Sequence, residues 1–292
     1  MMNGSIRGGR AISATLTLTL TLTLAFGAGA CDELQASDAG DDCTQDVLSG
    51  FDDTLVFTSA YRVVDGELST SCLGAGDPAI VSAWEDLATI APREQLSDLA
   101  LFGGFEPAGD EAAETLAFVN PLDDGVQFQM SVNTVEASAD ADELLLTLAH
   151  EFSHVFTATA EQLARTDEAV DGCSTYFNGE GCYLDDAVMT DWIDEFWPAD
   201  VLDGVDTEVD SVDDADARCA LDDGFFGPYA ATNPEEDFAE AFSAFVFRVE
   251  PSTDGQARRL EWIGAQPGLA EFRDRADAAQ MTPLPNDFEL CG

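Results

Sequence analysis

The sequence predicts an α+β domain in which a small β-sheet with a hairpin precedes one long, mostly buried helix and a mostly helical C-terminal part. Three stretches carry this reading. LAFVNPLDDGVQFQMSV alternates apolar and polar positions on either side of the turn dipeptide Asp124-Gly125. ADELLLTLAHEFSHVF changes to helical spacing from Asp140 onward, and NPEEDFAEAFSAFVFRV repeats a helical pattern rich in phenylalanine.

The chain opens with Arg7 and Arg10, then an uncharged run that contains TLTLTLTLTL and closes on Ala28-Gly29-Ala30. A basic start, an apolar middle and small residues at the exit mark residues 1–30 as a secretory signal peptide. The Thr/Leu alternation is not read as a strand, because no turn or pairing partner accompanies it. Cys31 comes next. Small residues followed by cysteine resemble the lipobox of bacterial lipoproteins, although position 28 holds Ala where that motif usually has Leu.

Cysteine parity bears on the anchor. The chain has seven cysteines, and using Cys31 for lipidation leaves Cys43, Cys72, Cys173, Cys182, Cys219 and Cys291, enough for three disulfides in an oxidising compartment. Six cysteines allow fifteen connectivities. Cys173 and Cys182, which bracket the short loop STYFNGEG, are the first expected pair. The protein is therefore expected to be exported, as a cell-surface or periplasmic lipoprotein or otherwise as a secreted protein.

Residues 31–75 are read as a lipid-anchored acidic leader and linker, and residues 76–292 as the folded domain. After the signal no apolar run reaches 18 residues, so membrane contact is expected only through Cys31. The chain holds 58 acids against 11 arginines and no lysine, a formal net charge of -47. That charge argues against nucleic acid as a partner and against an anionic bilayer surface bound by the protein itself. A monomer is expected.

DPAIVSAWEDLATIAPREQLSDLALF shows helical spacing interrupted at Pro92, which predicts two short helices. Asp140 or Ser138 can cap the following long helix, with Asp142 and Glu143 in its first turn. On that helix Leu144, Leu145, Leu148, Phe152, Val155 and Phe156 form an apolar face, and Thr147, His150, Glu151 and His154 follow a separate stripe. DDAVMTDWIDEF predicts a helix that stops near Pro198. The acidic DGVDTEVDSVDDADARC lacks the ligand order of a calcium loop and is read as solvated. A last buried helix is expected to start near Asn233, with Pro234 at its first position.

His150 and His154 are the chain's only histidines. Four apart on a helix, they lie on one face, near enough to hold one ion, and H-E-x-x-H uses this spacing for zinc with the glutamate as general base. The bland reading is two histidines bonded to loop carbonyls. Against it, the helix is otherwise apolar, its polar stripe is confined to the motif, and no histidine is spent elsewhere. A catalytic zinc site needs a third protein ligand, and with no histidine left it must be a carboxylate or, with less chemical reason, a cysteine. Glu236 and Glu240 sit one turn apart on the second buried helix. One can bind the metal and the other can hold an imidazole N–H.

HEFSH followed by YAATNPEEDFAEAF resembles the catalytic domain of anthrax lethal factor and its relatives, a gluzincin family with HExxH on one helix and a ligand glutamate within E-x-F-A-E-A-F on a second. The resemblance covers about residues 140 to 280. It implies a zincin-like metallopeptidase fold with one Zn2+ per chain, held by His150, His154 and Glu236, with Glu240 on the later acid of the second motif. Glu151 would be the general base and Tyr229 the upstream tyrosine that assists the reaction. Glu235 or Asp237 would shift the ligand by one residue, but Glu235 would leave Ala239 where the helical partner belongs. The segment between the motifs is longer here and carries cysteines, and the toxin's delivery domains have no counterpart, so the toxin's substrate is not implied. Two other readings stand beside a zinc endopeptidase: a catalytically inactive zinc-binding surface module for adhesion or partner binding, and an acidic surface protein without metal.

Overall fold

The computed structural model describes residue 43, residues 54–109, 115–122, 126–166, 173–205, 212–283 and residue 291. The signal segment, Cys31, the stretch 44–53 and the Asp124-Gly125 dipeptide lie outside the described residues.

A five-stranded mixed sheet forms one layer, in the order β2-β1-β3-β5-β4. Its strands are β1 (Leu55–Val64), β2 (Glu67–Leu73), β3 (Leu99–Pro107), β4 (Ala117–Pro121) and β5 (Phe128–Asn133). The β4–β5 pair is the expected antiparallel hairpin, with Ala117 opposite Val132 and Pro121 opposite Phe128.

Two differences from the sequence reading appear in the sheet. Residues 55–73, assigned to the leader and linker, form β1 and β2, which turn at Asp65 and Gly66 with φ of 52° and 70°. Left-handed conformations at both central positions are what a two-residue hairpin turn requires, so VVDGEL carried the signal. A Cβ at Gly66 would come within 2.4 Å of the Arg93 carbonyl oxygen. Second, the expected helix after Pro92 is only the short Arg93–Leu96 turn, and LALFGGFEP is the central strand β3, antiparallel to β1 and parallel to β5. A strand covered on both faces is apolar throughout, and its short run cannot be told from a buried helix by periodicity.

Helices pack against the sheet. The first, α1 (Pro78–Ile90), is capped by Asp77, whose side chain accepts from the Ala79 amide, and its Trp84 meets Phe102 of β3 edge-on at 5.2 Å. Arg93–Leu96 is α2 and Thr134–Ala139 is α3. Then comes α4 (Ala141–Thr157), capped by Asp140 through the amides of Asp142 and Glu143; the Ser138 hydroxyl instead bonds the Thr134 carbonyl.

A two-stranded sheet, β6 (Leu163–Arg165) with β7 (Gly181–Tyr183), precedes α5 (Val188–Phe196) and α6 (Ala199–Leu202). Part of the acidic stretch read as a loop is helical, α7 (Val212–Cys219). The remaining helices are α8 (Pro234–Val246), α9 (Asp254–Ala265) and α10 (Leu269–Ala279). Among the described residues no helix is long and apolar enough to cross a membrane.

Helices α4 and α8 are joined by aromatic packing. Phe156 meets Phe242 at 5.2 Å and Phe238 at 6.1 Å, and Phe272 of α10 closes on Phe242 at 5.1 Å. Phe238, Phe242 and Phe272 are fully buried, and each such ring contributes about 1.5–3 kcal/mol. Three disulfides, Cys43–Cys72, Cys173–Cys182 and Cys219–Cys291, use the six cysteines expected to pair and include the pair expected first.

Candidate metal centre

Helical geometry places His150 and His154 one turn apart on α4, with their Nε2 atoms 3.3 Å from each other and their rings at 71°. Helix α8 supplies the third group. Asn233 caps it by accepting from the Glu236 amide at 2.9 Å, and the Ser243 hydroxyl donates to the Leu146 carbonyl at 2.9 Å, which pins α8 across α4. With the helix so fixed, Glu236 Oε2 lies 3.0 Å from His150 Nε2 and 3.7 Å from His154 Nε2.

These three atoms suit one cation. Zinc bonds to nitrogen and oxygen of about 2.0–2.2 Å at tetrahedral angles put ligand atoms roughly 3.3–3.6 Å apart, and the observed separations straddle that range. His150, His154 and Glu236 are, among the described residues, the group whose ligand atoms converge closely enough to hold a metal. Glu236 Oε2 is buried without a well-aligned hydrogen-bond donor, as is Glu151 Oε1. Oxygens left this way are costly unless a cation or water answers them.

The electrostatics agree. Burial alone would raise the Glu236 carboxyl, but His154 and His150 outweigh it and hold the group well below the usual carboxylate range. Burial opposes charge on His150 as well, yet Glu236 and Glu240 raise its pKa well above that of a solvated imidazole. The pocket stabilises positive charge between its imidazoles and carboxylates. Glu240 Oε1 lies 2.9 Å from His150 Nδ1, on the side of the ring away from the Nε2 that faces Glu236.

Glu151 is 2 % exposed, and burial raises its pKa while His150 and His154 pull it down. The half-buried Tyr229 stands beside His150, ring centroids 5.9 Å apart. Glu235 is engaged elsewhere: its Oε1 accepts from the Tyr183 hydroxyl at 3.0 Å, and burial pushes its pKa up to about 7. Thus His150, His154, Glu236, Glu240 and Tyr229 gather at one place, and Glu235 turns to Tyr183.

Residues 89–280, from the end of α1 through α10, match a family described as "Putative zinc-binding metallo-peptidase". The chain belongs to this family. The matched range contains both site helices, and the donor set of two imidazoles and a carboxylate is one that zinc-binding metallopeptidases can use. No curated protein and no solved structure matches the chain significantly. The sequence patterns do not single out Tyr183, which bonds Glu235 in the first turn of α8, or Arg218, which bonds the turn before it. Their only signal is position, since each adjoins a cysteine, Cys182 and Cys219.

Proposed function

We propose that this metallopeptidase is a zinc-dependent endopeptidase of the gluzincin type, resembling the anthrax lethal factor catalytic domain in its two helical motifs, and exported with a lipid anchor at Cys31. The observation that carries the reading is the convergence of His150, His154 and Glu236 beside the buried carboxylate Glu151. His150, His154 and Glu236 would hold a single ion. Zinc, when bound, supplies a Lewis acid that polarises the scissile carbonyl and lowers the pKa of water.

Glu151 takes the proton from the attacking water and passes it to the leaving amine, a task suited to a carboxyl whose pKa is raised by burial. Tyr229 donates to the oxyanion as it develops. Glu240 keeps the His150 ring oriented. Metal binding alone does not call for a general base, so Glu151 favours a peptidase over an inactive zinc-binding module.

Export draws support from the three disulfides, which are stable in oxidising compartments and leave Cys31 as the odd cysteine. The substrate is a protein or peptide, and the acidic surface draws cationic segments toward the protein.

The test is one preparation of the protein beside its Glu151→Ala form, measured for zinc content and for cleavage of a mixed peptide library. Near-stoichiometric zinc in both, with cleavage only in the parent, is expected. Folded parent protein without zinc would sink the proposal, and zinc without cleavage in either would establish a binding module instead.

A further inference from the structure

We infer that Tyr183 and Arg218 are positioning residues for the metal centre: two disulfide-anchored side chains that clamp residues 229–236, the segment carrying Tyr229 and Glu236. The inference rests on the proposed role of Glu236 as a zinc ligand.

The first clamp begins at the Cys173–Cys182 disulfide. Cys182 lies in β7, and the next residue, Tyr183, pairs with Leu163 of β6 and is 3 % exposed. Its ring has little room to move. The hydroxyl donates to Glu235 Oε1 at 3.0 Å and accepts from the Asn178 side-chain amide at 3.4 Å, with Asn178 inside the loop the disulfide closes. Glu235 is covalently next to Glu236. A bond that fixes the Glu235 side chain in the first turn of α8 also fixes the backbone from which Glu236 reaches the histidines.

The second clamp acts on the turn just before α8. Arg218, in the last turn of α7, donates through Nε to the Ala231 carbonyl at 2.6 Å and through Nη2 to the Thr232 carbonyl at 2.9 Å. Its Nη1 reaches the Gly204 carbonyl at 3.5 Å. The following residue, Cys219, is bonded to Cys291. Ala231 and Thr232 belong to the turn after Tyr229, whose carbonyl accepts from both the amide and the hydroxyl of Thr232. The guanidinium therefore holds the turn that joins Tyr229 to the Asn233 cap.

Groups that hydrogen-bond a metal ligand orient it, and loss of such a partner costs about 10–100-fold in metal affinity; Tyr183 and Arg218 act one step further out, through the backbone that carries Glu236. Neither clamp contributes a ligand atom. Each acts on where the helix begins, and each is tied to the rest of the chain by a covalent crosslink.

The test uses zinc alone, with affinity read by competition against a chromogenic chelator and coordination read from the absorption spectrum of the cobalt-substituted protein. Tyr183→Phe and Arg218→Met are each expected to weaken zinc binding 10–100-fold and to alter the cobalt spectrum. Glu235→Gln, which keeps an acceptor for Tyr183, should bind zinc as the parent does. Cys173→Ser/Cys182→Ser should weaken binding to the same degree as Tyr183→Phe, with no further loss when the two are combined, because both act through one contact.

Unchanged affinity and spectrum in Tyr183→Phe and Arg218→Met, with zinc lost from Glu236→Ala, would overturn the inference alone. Parent-like zinc binding by Glu236→Ala would overturn the ligand assignment and the inference with it. Should Arg218→Met fail to fold, Tyr183→Phe, which removes one hydroxyl, decides.

Discussion

His150 Nδ1 stands 2.9 Å from Glu240 Oε1, while Nε2 of the same ring stands 3.0 Å from Glu236 Oε2. One imidazole is thus held between two carboxylates one turn apart on α8, Glu236 on its Nε2 side and Glu240 on its Nδ1 side.

Glu240→Gln keeps the shape of the steering group but gives up its charge. Zinc affinity should fall about 10–100-fold while the fold is retained. Chelator competition with circular dichroism checks this, and parent-like affinity would remove Glu240 from the site.

Glu236→Ala and Glu151→Gln should separate binding from chemistry. The first is expected to leave the protein without stoichiometric zinc. The second should retain zinc and lose about 10²–10⁴-fold in turnover, the usual contribution of a positioned general base. Metal analysis and single-peptide kinetics on both variants provide the comparison.

Asp237, the residue after Glu236, is fully buried and is bonded to Arg259 Nε at 2.9 Å and Trp197 Nε1 at 2.9 Å. Burial raises its pKa to about 6 against the pull of Arg259, so folding favours the protonated form. The stability from this group is fully present below its ordinary 3.8 and is lost as pH rises through about 6. Arg259→Met removes the counter-charge and should cost about 3–5 kcal/mol near neutrality. Its deficit in Tm should widen between pH 5 and 8, whereas Asp237→Asn/Arg259→Met should show no such widening. A deficit independent of pH would mean that Asp237 does not ionise in the fold.

Gly224 makes room for that guanidinium. A Cβ there would stand 1.6 Å from Arg259 Nη1, and Arg259 also lies over the Phe225 ring at 4.7 Å. Gly224→Ala must displace a buried cation from its partners, and a loss of about 2–4 kcal/mol is expected, measured by urea unfolding. A neutral result would show that the arginine has another berth.

What the sequence settled by itself was local. The i, i+4 spacing puts His150 and His154 on one helix face, Asp140 and Asn233 cap the two helices as their chemistry favours, and cysteine parity left six residues that form three pairs. Each depends on neighbours within a turn or on counting. LALF, the start of β3, carries a helical reading because a strand buried on both faces has no period of its own, and its state was decided by β1 and β5 pairing with it.

Tertiary structure also chose Glu236 over Glu235 at the cluster, since adjacent carboxylates on a helix differ only in which neighbour they face: the two histidines for one, the Tyr183 hydroxyl for the other. Contacts such as Ser243 to Leu146, 97 residues apart, set that crossing, and no local pattern encodes the angle at which two buried helices meet.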